Sequence, residues 1–171
     1  MTSNDPNDPR LNWATLSQAE RDAAYDNNKA VANSPALIAV RNEASAKFRA
    51  AHATALDIAY GKRERTKIDI YPARDKAASC LVFIHGGYWQ RNSRDVFAML
   101  VEGMAAHGWS VVIPGCSLAP EATLTEIVEE ISLALDWLAA NGPLHGIAGP
   151  VVLSGWSAAP ISPRSGFPIH W

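Results

Sequence analysis

The chain has 171 residues, of which 48% are hydrophobic and 19% charged, and its net charge is −2. That composition excludes an intrinsically disordered chain, and the charge gives no electrostatic footing for nucleic acid or an anionic membrane surface. No apolar run approaches the length of a bilayer span and no leader pattern opens the sequence, so a cytoplasmic protein with neither a nucleic-acid nor a membrane partner is expected.

Residues 1–11 are polar and rich in Pro, Asn and Asp, and are expected to form a flexible arm ahead of one domain at 12–158. Ser17 with Glu20 three residues on, and Leu16 before it, spells a capping box with a hydrophobic staple. It predicts a helix to about Val31. Ser34-Pro35 has the N-cap and first-turn proline of a second helix, which the spacing of Leu37, Val40, Ala44 and Phe48 carries to about Ala51. These two form an N-terminal helical pair. Lys67–Tyr71 then alternates polar and apolar residues up to Pro72, the pattern of a half-buried strand. Leu81–Ile84 is a continuous apolar run, as in a strand covered on both faces. Arg94–Ala106 reads as a helix closed by His107-Gly108. Trp109–Ile113 is the next strand, Thr123 with Glu126 caps another helix to Asn141, and Val151–Leu153 is a last short strand. Strands alternating with helices predict an α/β fold with a mostly parallel sheet flanked by helices. Chemistry in such sheets gathers at the carboxyl ends of the strands.

Two motifs stand at those ends. His85-Gly86-Gly87-Tyr88-Trp89 follows Leu81–Ile84. Paired glycines there let the backbone approach a ligand, and their N–H groups can face a developing oxyanion, where each donor is worth about 3–4 kcal/mol of barrier in acyl transfer. His85 reads as loop-shaping. Gly155-Trp156-Ser157-Ala158 follows the last strand and matches most of the G-x-S-x-G elbow, the strained turn that exposes a nucleophilic serine. Ser154 lies inside the strand and is a poor competitor. Trp89, Trp109 and Trp156 lie beside these motifs as candidate pocket walls. Cys80 and Cys116 make neither a disulfide framework nor a zinc set and read as small core residues. A Cys116 nucleophile has nothing to pair with. Neither a metal nor an organic cofactor is expected.

From Thr15 to Ala158 the sequence resembles the kynurenine formamidase (arylformamidase)-like esterases of the α/β-hydrolase superfamily. HGGYW at His85–Trp89, SLAPEA at Ser117–Ala122, SGWSA at Ser154–Ala158 and LSQAERDAAYDNN at Leu16–Asn28 carry the resemblance. It implies a serine hydrolase acting on an aryl formamide or a small carboxylic ester. Ser157 would form the acyl-enzyme. The N–H groups of Gly86 or Gly87 and of Ala158 would hold the oxyanion. Tyr88, Trp89 and Trp156 would line the substrate pocket, with His85 and Gly155 shaping the motifs.

The pattern breaks after Ala158. Ala159 stands where the elbow has its last glycine, and Pro163, Gly166 and Pro168 are incompatible with the body of a following helix. The acid and base of this superfamily follow the serine in chain order. After Ser157 there is no Asp or Glu, and His170 is the one histidine. A back-translation of Ala158–Trp171 exists in which one added G after its fourth base yields AGAHLTAIGISHPL, which restores the elbow glycine and a helix-compatible run. Residues 159–171 are therefore read as a frameshifted, non-native tail, the fold as incomplete and this chain as a truncated, inactive form. The rival reading is a non-catalytic module that holds a small aromatic ligand at HGGYW. Composition leaves the oligomeric state open.

Overall fold

A computed structural model describes residues 15–52 and 54–159. The expected arm at 1–11, all but Ala159 of the expected tail, and His170 lie outside the described residues. The chain divides into two compact units, Met1–Val40 and Arg41–Trp171.

In the first unit the capping box at Ser17 is formed, with the Glu20 carboxylate accepting from the Ser17 N–H and the Ser17 hydroxyl accepting from the Glu20 N–H. The predicted helix is broken, however, into α1 (Gln18–Tyr25) and α2 (Asn27–Ala30). Asp26 leaves helical geometry at ψ 78° and its carboxylate caps α2 through the Lys29 N–H. Asp competes for backbone donors in this way, which suits it to caps rather than helix interiors. Helix α3 spans Ser34–His52. Its residues from Arg41 on belong to the second unit, where Phe48 is in the core.

The second unit holds a five-stranded sheet in the order β1 (Ala55–Ala59), β2 (Lys67–Tyr71), β4 (Ser110–Pro114), β3 (Cys80–Ile84), β5 (Val151–Gly155). The sheet is mixed. β3 pairs in parallel with β4 and β5, whereas β2 pairs antiparallel with β1 and β4, so β2 alone runs against the other four. Alternate side chains divide the core into two layers, as the pleat requires. Ile68, Ile70, Val82 and Val112 pack against Ala134, Leu135 and Leu138 of α5 (Leu124–Asn141). Tyr71, Val111 and Ile113 pack on the other face against Phe48, Ala98 and Val101. The Arg94–Ala106 segment starts as a 3-10 helix, Arg94–Val101, and becomes α-helical only in α4 (Glu102–Ala106). Its buried Arg94, Phe97, Ala98 and Val101 are fixed to the sheet, and such tertiary contacts override propensity.

Strand β1 has no counterpart in the sequence expectations. Ala-Leu-Asp-Ile-Ala is short and poor in strand formers. Its register shifts between Ala55 and Ile58, and Asp57 there has φ 59°. The Asp57 N–H donates to the Asp69 carboxylate at 2.9 Å. Asp69 itself corrects the reading of β2 as half-buried. It is fully buried, with Arg94 Nε at 3.1 Å and Arg49 Nη2 at 3.3 Å. Arg94 also reaches the Asp57 carboxylate. A polar position in an alternating strand points to solvent unless charges meet it, and here two arginines do.

Candidate active site

The strand order decides what meets at the carboxyl edge. The chain leaves β3 for β4 on one side through Arg94–Ala106, then crosses by α5 to β5 on the other side of β3. The crevice at such a reversal is where open α/β sheets bind ligands. β3 and β5 end in register, Ile84 opposite Gly155, and the Trp156 N–H donates to the Ile84 carbonyl at 3.1 Å. Their following turns, His85–Trp89 and Trp156–Ala158, therefore lie side by side.

Gly86 is the contact between them. A Cβ there would stand 2.2 Å from the Trp156 carbonyl oxygen, 3.0 Å from Ser157 Cβ and 3.1 Å from the Ala158 nitrogen. Only glycine fits that approach. Gly87 has φ 130°, a conformation closed to L side chains, and a Cβ on it would meet the Arg91 carbonyl oxygen at 2.5 Å.

Backbone strain is concentrated here. Tyr88, Trp89, Asn92 and Ser157 have φ of 55°, 57°, 72° and 55°. Left-handed geometry costs roughly 1–2 kcal/mol for a non-glycine residue, and such outliers cluster at ligand and catalytic sites. Ser157 is exposed at the tip of its turn. Among the described residues, the N–H groups of Gly86, Gly87 and Ala158 make no hydrogen bond. Gly86, whose Cβ position is 3.0 Å from Ser157 Cβ, is the one of the three that touches that residue.

The surrounding groups hold this arrangement. His85 is buried, its Nδ1 lies 3.1 Å from the Gly86 carbonyl oxygen, and its ring stacks on Phe97 at 6.1 Å. Burial pushes its pKa below the ordinary histidine value, which favours the neutral ring. Ser117 is anchored to Glu130 of α5, which accepts from its N–H at 2.6 Å and from its hydroxyl at 2.9 Å. Both cysteines are buried and free. Burial pushes their thiols up to about 12, which makes Cys116 inert although it borders the site.

A crevice of about 10 Å³ adjoins Gly86 and Ala158, with walls from His85, Trp89, Arg91, Cys116, Leu118 and Ile127. It has room for about one water-sized group. Of the three residues expected to line a pocket, Trp89 borders this crevice, while Tyr88 and Trp156 are half exposed and do not. Trp156 packs on Phe97 at 5.3 Å. Trp109 precedes β4, at the amino edge of the sheet, away from both motifs. No group of His, Cys, Asp and Glu among the described residues could hold a metal ion, and no described helix is long and apolar enough to cross a membrane.

The BD-FAE family matches residues 68–160, from β2 through the Ser157 turn. The chain belongs to the BD-FAE family. Kynurenine formamidase from Danio rerio is 23% identical over 172 residues, a match covering 89% of this chain and 59% of that protein. Among solved structures, a thioesterase candidate from Silicibacter sp. TM1040 superposes with a TM-score of 0.70 at 31% identity, over 80% of this chain and 51% of that one. Esterase B from Lactobacillus rhamnosis, at 24% identity, shows the same fold with a TM-score of 0.61 over 82% of this chain and 47% of its own. This BD-FAE chain thus has an α/β-hydrolase fold and hydrolase ancestry, and it spans between about half and three-fifths of these relatives' lengths.

Proposed function

We propose that this chain carries the nucleophile and oxyanion donors of a serine hydrolase that cleaves an aryl formamide or a small carboxylic ester. The observation that supports the reading is the contact of Gly86 with the exposed, left-handed Ser157 and with Ala158, in turns where the N–H groups of Gly86, Gly87 and Ala158 are unbonded among the described residues. In this reading Ser157 Oγ attacks the carbonyl carbon and the carbonyl oxygen takes the negative charge. The N–H groups stabilise that oxyanion. Collapse expels the amine or alcohol and leaves an acyl group on Ser157, which water then removes. Proton transfer needs a base, and among the described residues no hydrogen bond joins Ser157 to a histidine. The frameshift reading of residues 159–171 accounts for that, and resequencing the gene from the Ala158 codon tests it. An added base that restores Gly at position 159 supports the frameshift. An unchanged frame overturns it.

The narrow crevice favours a formyl or short acyl group. The acyl-transfer reading is tested with p-nitrophenyl esters of increasing acyl length at pH 9, where hydroxide can serve as the base that the described residues lack, by peptide mass mapping under single-turnover conditions. Acetyl transfer to Ser157, at least about tenfold faster than butyryl transfer and absent in Ser157→Ala, is expected, since each methylene that a pocket cannot admit costs about 1–3 kcal/mol. Equal labelling of Ser157→Ala would sink the assignment.

A further inference from the structure

We propose that Asn92 is a positioning residue that aims the N–H of Gly87, an inference that rests on the reading of that N–H as an oxyanion donor. The Gly86 carbonyl oxygen has two side-chain neighbours. His85 Nδ1 lies at 3.1 Å and Asn92 Nδ2 at 3.3 Å. A carbonyl only accepts, so Nδ1 carries the histidine proton, and Nε2 is left as a buried acceptor without a partner. Two donors thus grip one oxygen. The peptide from Gly86 to Gly87 is trans and planar, so its N–H points opposite to its C=O. Fixing the Gly86 oxygen therefore fixes the direction of the Gly87 N–H.

The need for such a clamp follows from the glycines. Two in succession allow more backbone freedom than any other pair. The Gly87 carbonyl is held by the Gln90 and Arg91 N–H groups at 3.0 Å, but the preceding peptide, which carries the Gly87 N–H, still has to be aimed for that donor to serve a transition state. Asn92 is itself held in place. Its amide nitrogen would lie 2.6 Å from a Cβ on Gly87, so it fills the space a side chain there would take. Its φ of 72° suits asparagine better than other non-glycine residues. Arg65 donates from Nη2 to the Asn92 carbonyl at 2.5 Å and from Nε to the Cys116 carbonyl at 2.9 Å. This ties the clamp to the carboxyl end of β4.

The test is ¹⁵N relaxation on the full chain and two variants. Asn92→Asp keeps the shape but replaces the donor with an acceptor. Asn92→Gly keeps the left-handed backbone and removes the amide. In the wild type the Gly87 N–H order parameter is expected near about 0.85, and in both variants, where His85 Nδ1 alone still holds the Gly86 oxygen, clearly below the wild-type value. Val82 and Val112 in the sheet should stay rigid and the melting temperature should hold, which separates aiming from general support. A Gly87 N–H as ordered in both variants as in the wild type would overturn the proposal. The measurement uses no substrate, so a Ser157 that fails to acylate would count against the hydrolase reading alone.

Discussion

Gly86 is the residue on which the site is most closely built, because its missing Cβ is what lets the two turns touch. Gly86→Ala would drive a methyl to 2.2 Å from the Trp156 carbonyl oxygen. Overpacking of this kind costs about 1–3 kcal/mol, and urea denaturation should show at least that loss, whereas Gly103→Ala, where a Cβ meets nothing within 4 Å, should cost no stability. His85 gives a pH dependence. Burial lowers its pKa in the folded state, so the unfolded chain binds the proton first. The stability it contributes is complete above about pH 6.5, the unfolded value, and falls as the pH drops below that. Denaturation midpoints between pH 7.5 and 5 should decline in the wild type and decline less in His85→Gln. The placement of His85–Trp89 and Gly155–Ala158 directly after strands was legible in the sequence, because each follows an apolar run with glycines that a close turn needs. The places of Asn92 and Arg65 beside the site were not, because both hydrogen-bond to backbone carbonyls. A loop asparagine or arginine gives the same sequence signal when it is merely solvated.

At the scale of elements, the helix capped by Thr123 and the strands with unbroken apolar runs were readable, whereas the helix from Ser17 breaks at Asp26 and Ser34 lies inside α3 rather than capping it. Thr123 and Glu126 form the predicted capping box on α5, and β3, β4 and β5 fall within a residue or two of expectation. Thr123→Ala should cost about 1 kcal/mol, read by thermal or urea unfolding, and an unchanged midpoint would count against the box. Glu126 lies well below the usual carboxylate range, at about 2, chiefly through the Thr123 N–H and Arg63. Its contribution is therefore present above about pH 4.5 and lost as the pH falls towards 2. What escaped sequence reading was the element held by charge. β1 depends on Asp57 and Asp69, and the alternation in β2 gave no sign that Asp69 is enclosed by Arg49 and Arg94. Asp69→Asn leaves those cations without their buried partner and should destabilise the fold by about 3–5 kcal/mol. A loss under 1 kcal/mol would mean the cluster is incidental.

For the whole molecule, the order of strands does more to assemble the candidate site than any single motif. Placing β5 beside β3 brings together two turns some seventy residues apart in sequence, and composition alone could not order the strands. The same order leaves β5 paired on one side only among the described residues. That strand, Val-Val-Leu-Ser-Gly, has no charge or proline to guard its edge, and Val152 is exposed. Concentration-dependent association, relieved by Val152→Lys, is expected by light scattering. The central claim, that the ends of β3 and β5 form a nucleophile with its oxyanion donors, is tested most directly by treating the chain with an alkyl fluorophosphonate at pH 9. Hydroxide can then serve as the base, and the buried thiols, pushed up to about 12, stay protonated. Peptide mapping should find the phosphonyl group on Ser157, with Ser154 bare and the label lost in Ser157→Ala. A label on any other residue, with Ser157 unmodified, would contradict the account.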